Sequence, residues 1–324
     1  MDEKSIRVQL RRKFSTPGWV ALSYYGIFIL IVLAATFFYA IYVNVRIIQT
    51  DSSQDFFEMI VQVLSFMLWT CLPASGISCL ALLGWKGGKF LRLQIFQPGK
   101  PMKIGTLAGL MCLMGAGQAL NQLLLLWQQL LSQSLGISLA NITMDLGTDT
   151  NSLMLFLYIC LAAPVVEEIL FRGVVARLLV PYGKKLAILG SAFLFGIFHG
   201  NLVQAPFAFG IGLVLGYVAL EYGILWSMVL HMFNNLGLGI VLPRLLSYLL
   251  GSAGNWAFLG LIGGMSLCAL LFLFFRREKI SAFWKADVWH NRFALCFFTS
   301  PGVMTSCILL WFQMARSALT PLLP

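Results

Sequence analysis

Pro164-Val-Val-Glu167-Glu168-Ile-Leu-Phe-Arg172-Gly173 sets two carboxylates and a guanidinium inside a run that, but for Arg177 near its end, is otherwise apolar from Leu153 to Val180. A run of this length and composition reads as a helix crossing a bilayer, where a charged side chain near the centre costs at least about 2.5–3.5 kcal/mol. The three charges therefore need partners, a function, or both. An α-helix advances about 100° per residue. Glu168 and Arg172, four apart, share a face and can pair, whereas Glu167 points roughly 100° away. Arg172 then holds Glu168 ionised as a structural strut, and Glu167 is left to face a cavity.

The rest of the 324-residue chain agrees with a membrane setting. It is 59% hydrophobic and only 10% charged, with a mean hydropathy of +0.86, where a soluble domain carries about 25% charged residues. The fold class is an all-α, polytopic transmembrane helix bundle with an intramembrane polar site. The net charge of +10 lies in short basic clusters between apolar runs, the pattern of cytoplasmic loops, which argues against a nucleic-acid partner. Cys71, Cys79, Cys112, Cys160, Cys268, Cys296 and Cys307 are scattered through apolar segments with no C-x-x-C pair, and read as buried thiols. The basic N-terminus followed by an apolar run superficially resembles a secretory signal. That run continues from Trp19 to Val43, longer than an h-region of about 7–15 residues, so an uncleaved first span is expected.

A helix needs about 20 apolar residues to cross the hydrocarbon core. By this measure about eight spans are expected: Trp19 to Val43, Phe56 to Leu83, Ile104 to Leu131, Leu153 to Leu179, Leu186 to Val203, Pro206 to Leu220, Ile224 to Leu242 and Trp256 to Phe275. If they alternate, the N-terminal cluster, Lys86 to Lys103, Arg177 with Lys184 and Lys185, and Arg276 to Lys285 all fall on one side, predicted to be cytoplasmic. Asp51, Asp55, Asp145 and Asp149 fall on the other, with Arg46 and Arg244 as exceptions. A ninth apolar stretch, Phe293 to Ala315, is broken by Pro301-Gly302 and fits a span, a re-entrant segment or an interfacial helix. The organisation expected is 1–103 as N-terminal helices and loop, 104–150 as third span and outer loop, 151–242 as a core, and 243–324 as last span and tail. The stretch from Lys86 to Lys103 reads as a linker. Gly196 with Gly200, and Gly212 with Gly216, suggest close packing of the fifth and sixth spans.

Polar groups of catalytic kind recur in three spans: Glu167, Glu168 and Arg172; His199; and His231 with Asn234 and Asn235. A lone His or Asn in such a helix usually makes only an interhelical hydrogen bond. Two carboxylates, two imidazoles and a carboxamide at compatible depths are too focused for unrelated struts, and point to hydrolysis or to an ion pathway. For hydrolysis, Glu167 takes a proton from water, His231 and Asn235 donate to the oxygen of a tetrahedral intermediate, and His199 positions the water or binds metal. A zinc ion would find three ligands in Glu167, His199 and His231, although H-E-x-x-H is absent. No G-x-S-x-G occurs to support a serine nucleophile. The competing readings are an ion-coupled membrane transporter, against which no inverted repeat is visible, and a non-catalytic bacteriocin immunity protein in which the polar set is only glue.

Glu167-Glu168-x-x-x-Arg172, then Phe195-x-x-x-His199, then His231-x-x-x-Asn235 resembles the three ordered motifs of the CPBP family of intramembrane proteases (CAAX proteases and bacteriocin-processing enzymes, also called Abi). The resemblance covers about Leu153 to Leu242. It implies hydrolysis of a peptide bond within the membrane, with Glu167 as base, His199 sharing that role or ligating metal, His231 and Asn235 stabilising the oxyanion, and Glu168 with Arg172 holding the architecture. It also implies a peptide or lipopeptide substrate met among membrane lipids, of CAAX or bacteriocin type, and either zinc-dependent or metal-independent activation of water. Oligomeric state is not legible.

Overall fold

The computed structural model describes residues 3–50, 56–86, 95–135, 153–287 and 291–319, and among these there is helix and turn but no strand. The helices are α1 (Glu3–Thr50), α2 (Phe56–Lys86), α3 (Ile104–Leu135), α4 (Leu153–Tyr182), α5 (Lys184–Ile197), α6 (Gln204–Glu221), α7 (224–250), α8 (Gly254–Ala286), α9 (Asn291–Phe298) and α10 (Pro301–Leu319). Among the described residues six helical runs are long and apolar enough to cross a membrane, or seven if α9 and α10, bent by 54°, act together. The 63-residue run from Ile224 to Ala286 is one of the six and contains two of the expected spans. It doubles back at Gly251, where φ is +57°, and the last part of α7 packs against α8.

The fifth expected span is the short one. At 14 residues, α5 extends about 21 Å at 1.5 Å per residue, less than the roughly 30 Å hydrocarbon core. It ends inside the bundle. Gly200 takes the left-handed conformation at φ +60° that closes many helix C-termini, and Gly200 N–H donates to the Ile197 carbonyl at 3.0 Å. Asn201 Oδ1 then accepts from Val203 N at 2.9 Å and Gln204 N at 3.0 Å, starting α6. Irregular backbone at such a depth persists only where protein satisfies its polar groups, and these contacts do so. The residue at the break is His199.

Helices α4, α5, α6 and α7 form the centre, with α3 and α8 on one flank and α1, α2 and α10 on the other. The expected glycine contact between the fifth and sixth spans is present. A Cβ on Gly196 would fall 2.8 Å from the Ala205 carbonyl oxygen, and one on Gly212 would fall 3.1 Å from Ala192 Cβ. On the outer flank α1 and α10 touch backbone to backbone: a Cβ on Gly18 would lie 2.4 Å from the Gly302 carbonyl carbon, and Gly302 N–H donates to Ser15 Oγ at 2.6 Å. The Pro301-Gly302 break thus begins a helix docked along α1.

Charged groups collect at one end of the bundle. Lys100 Nζ and Lys184 Nζ reach the two oxygens of Glu221 at 2.5 and 2.7 Å, Lys185 N–H donates to Asp287 Oδ2 at 2.7 Å, and Glu3 pairs with Arg292. Basic segments expected on one side therefore meet in space. Asp51, Asp55, Asp145 and Asp149 lie outside the described residues. The described part of the expected linker is docked rather than loose: Ile95 is fully buried against Gly173 and Ile224, and Lys100 N–H donates to the Glu221 carbonyl at 2.8 Å. All seven cysteines are free; Cys79, Cys160 and Cys296 are buried as expected, whereas Cys71, Cys112 and Cys307 are only partly buried and Cys268 of α8 is exposed.

Candidate active site

Helix α4 is not a uniform α-helix. It opens into π-helical turns at Tyr158–Ala162 and Ile169–Ala176, on either side of the α-helical Ala163–Glu168. A third π stretch, Phe233–Val241, follows His231 in α7. Prolines explain part of this. Pro164 and Pro243 each sit at the start of the α-helical segment that follows a π turn, where a ring without an N–H would disrupt regular α hydrogen bonding. Such wide turns recur at functional sites, and here all three bracket the polar residues.

The adjacent carboxylates are separated as the helical arithmetic predicts. Glu168 is completely buried and Glu167 is 26% exposed. Glu168 Oε1 lies 2.9 Å from Arg172 Nη1 and 3.0 Å from His231 Nδ1, and its Oε2 is 2.5 Å from Ser227 Oγ. Arg172 is equally buried; it donates from Nη2 to the Gly212 carbonyl at 3.3 Å and stacks its guanidinium 4.3 Å above the Phe195 ring. An unpaired ion in this position would carry several kcal/mol of desolvation penalty, so each of these contacts serves to keep the charge tolerable.

His231 joins the two carboxylates. Because the Glu168 carboxylate only accepts, Nδ1 of His231 carries hydrogen, and Nε2 is turned toward Glu167 Oε2 at 3.7 Å. His199 is fixed in the same way by its own helix: Nδ1 donates to the Phe195 carbonyl at 2.8 Å, which leaves Nε2 as an acceptor in the neutral ring. Phe195 lies edge-on to both imidazoles, with centroids 4.8 Å from His199 and 5.6 Å from His231. One phenyl ring therefore spaces the two histidines and supports Arg172. Tyr24 and Tyr158 lie within electrostatic reach of Glu167.

Asn235 reaches the site by a different route from the one its spacing implies. Asn235 lies in the π stretch that begins at Phe233. Asn235 Nδ2 donates to the Ile159 carbonyl in the first π turn of α4 at 3.2 Å, and its Oδ1 accepts from Asn234 Nδ2 at 3.0 Å. Asn234 Oδ1 accepts in turn from Gln118 Nε2 of α3 at 3.0 Å. Gln118 and Ser227 are the members of the network that sequence reasoning missed. Ser227 stands one helical turn before His231, a spacing that signals a shared face, whereas nothing in the sequence links Gln118 to α7.

Glu167, His199 and His231 form the trio expected around zinc. Among the described residues no three His, Cys, Asp or Glu side chains close into a group able to hold a metal ion. His231 Nδ1 is committed to Glu168, and its Nε2 stands 3.7 Å from the Glu167 oxygen. The Nδ1 bond to Glu168 leaves Nε2 as the nitrogen by which His231 could meet a metal.

Neither a curated protein nor a solved structure matches the chain significantly. Residues 149–237 match the family model of the type II CAAX prenyl endopeptidases, Rce1-like. The matched stretch runs from before α4 to Gly237 in α7, and so contains Glu167, Glu168, Arg172, His199, His231 and Asn235 but leaves out Gln118. The segment that builds the polar centre is thus similar to the Rce1-like type II CAAX prenyl endopeptidases, and it is carried in a chain that is integral to the membrane.

Proposed function

We propose that this protein is an intramembrane endopeptidase that cleaves a lipidated, CAAX-type peptide by water activated at Glu167. The observation that carries the reading is the division of labour between neighbouring carboxylates: Glu168 is wholly buried among Arg172, His231 and Ser227, while the partly exposed Glu167 faces His231 Nε2. A network built only for assembly has no need of the second, expensive carboxylate beside an oriented imidazole.

In the proposed reaction a water between Glu167 and His199 gives one proton to the Glu167 carboxylate and hydrogen-bonds to His199 Nε2. The hydroxide oxygen bonds to the scissile carbonyl carbon, and the carbonyl π electrons move to oxygen. Protonated His231 offers Nε2–H to that oxyanion, with Glu168 stabilising the imidazolium from the Nδ1 side. Asn235 adds the second N–H of its amide, the first being held by Ile159. Collapse of the intermediate breaks the C–N bond, and Glu167 returns its proton to the leaving amine. No step runs through a metal.

A quenched, farnesylated CAAX peptide presented in detergent or vesicles tests the assignment. Wild type should cleave it and Glu167→Gln should not. Equal turnover by the two proteins overturns the proposal, and cleavage confined to unlipidated or bacteriocin-type peptides replaces the substrate class.

A further inference from the structure

A second cavity, of about 910 Å³, lies among α3, α5, α6 and α8. None of Glu167, His199, His231 or Asn235 lines it. Its size falls within the roughly 300–1,000 Å³ of ligand sites. The wall is apolar, formed by Leu110 and Leu113 of α3, Ile188 of α5, Leu213 and Val214 of α6 and Phe272 of α8.

The rim has the opposite character. Lys100, Lys103, Lys184, Arg276 and Lys279 line the cavity against a single carboxylate, Glu221. Glu221 is already shared by Lys100 and Lys184; its hydrogen bond, followed by its charge, raises the Lys100 pKa and keeps that ammonium protonated. Arg276 donates to Thr106 Oγ1 at 3.1 Å, and among the described residues neither Lys103 nor Lys279 has an ion-pair partner. Three cations thus face the opening without a carboxylate. Tyr217, Phe283 and Trp284 also line the cavity, and Tyr and Trp are the residue types that mark the headgroup level of membrane proteins.

We propose that this cavity holds one anionic glycerophospholipid, with its phosphate at Lys103, Arg276 and Lys279 and an acyl chain along the α3–α6 wall. The complementarity is of two kinds at two depths. Surplus positive charge selects an anionic headgroup, and the apolar trough beneath selects a chain. A free phosphate would leave the trough unused, and a zwitterionic lipid would leave the surplus charge uncompensated. The four elements that meet here, the start of α3, the start of α5, the end of α6 and the end of α8, also frame the flank of the catalytic helices.

The test uses full-length protein, delipidated in detergent, with native mass spectrometry and thermal unfolding as readouts. One phosphatidylglycerol should remain bound per chain and raise the unfolding temperature. Phosphatidylcholine of the same chain length and inorganic phosphate should do neither. Lys103→Gln/Lys279→Gln changes two exposed side chains; it should leave the lipid-free unfolding temperature unchanged while weakening phosphatidylglycerol binding about tenfold or more. Leu213→Trp, which fills the trough and spares the rim, should exclude the lipid. Equal retention of phosphatidylcholine, equal stabilisation by phosphate alone, or undiminished phosphatidylglycerol binding by the double variant would each overturn the site.

Discussion

Glu168 accepts from His231 Nδ1 at 3.0 Å while wholly buried, so the carboxylate that neutralises Arg172 also fixes the edge His231 turns toward Glu167. Assembly and chemistry are joined at one side chain. A buried charge pair is seldom a net source of stability, but removing one member is strongly destabilising.

That asymmetry separates the two glutamates by experiment. Glu168→Gln strands the Arg172 guanidinium and should lower stability by about 3–5 kcal/mol, seen as lower yield and a lower unfolding temperature together with lost activity. Glu167→Gln changes a partly exposed group whose contact with His231 Nε2, at 3.7 Å, is long. It should stay within about 0.5 kcal/mol of wild type and yet lose at least about a hundredfold in turnover. Paired circular-dichroism melts and peptide-cleavage assays decide the matter; equal stability of the two variants removes the strut role of Glu168.

Gln118 offers a prediction outside the matched family segment. Its Nε2 begins the relay through Asn234 and Asn235 to the Ile159 carbonyl. Gln118→Leu leaves the buried Asn234 oxygen without this donor, at about 1–3 kcal/mol, and frees the Asn235 amide to turn. We expect kcat to fall about tenfold with KM little changed, because a group that acts on the transition state is misaligned. A rise in KM at constant kcat would assign Gln118 to substrate binding instead.

The sequence makes part of this centre legible, for physical reasons. Glu168 with Arg172 and Phe195 with His199 are four apart on helical backbone, and that spacing alone brings each pair together. The bracket of π turns is not legible, because hydropathy is indifferent to whether a turn closes at i+4 or i+5, and beyond each such turn the helical arithmetic drifts. The Asn235 to Ile159 hydrogen bond joins two helices, and no local spacing encodes it. The end of α5 at Ile197 is hidden too, since Phe198 to Val203 contains apolar residues that continue the hydrophobic run. Only Gly200, which tolerates its positive φ, signals the break. Which carboxylate orients His231 is a tertiary fact, and no local pattern encodes it.

The α1–α10 crossing predicts a different kind of sensitivity. A Cβ on Gly302 would fall 2.2 Å from the Ser15 carbonyl oxygen, with backbone and not a flexible side chain in the way. Gly302→Leu must separate the helices and break the Gly302 to Ser15 hydrogen bond, so a loss of about 1–3 kcal/mol or more is expected, with α10 becoming accessible to protease. Gly26 has no atom within 4 Å of its would-be Cβ, and Gly26→Ala should be neutral or stabilise by up to about 1 kcal/mol through helix propensity. A stable, protease-resistant Gly302→Leu protein would show that the crossing does not hold the tail.

Metal dependence can be decided on the same preparation. The described residues present no three-donor group, so a metal at Glu167, His199 and His231 would require these side chains to draw closer together, with His231 offering Nε2 while Nδ1 stays on Glu168. We therefore expect protein washed with a strong chelator, and assayed for zinc per mole, to keep its full turnover of the lipidated peptide. His199→Gln retains a hydrogen-bonding side chain but removes the imidazole. It should lower kcat by about 10²–10⁴ with the zinc content per mole unchanged. Activity that falls in proportion to zinc removed and returns when zinc is restored would move water activation from Glu167 alone to a metal centre.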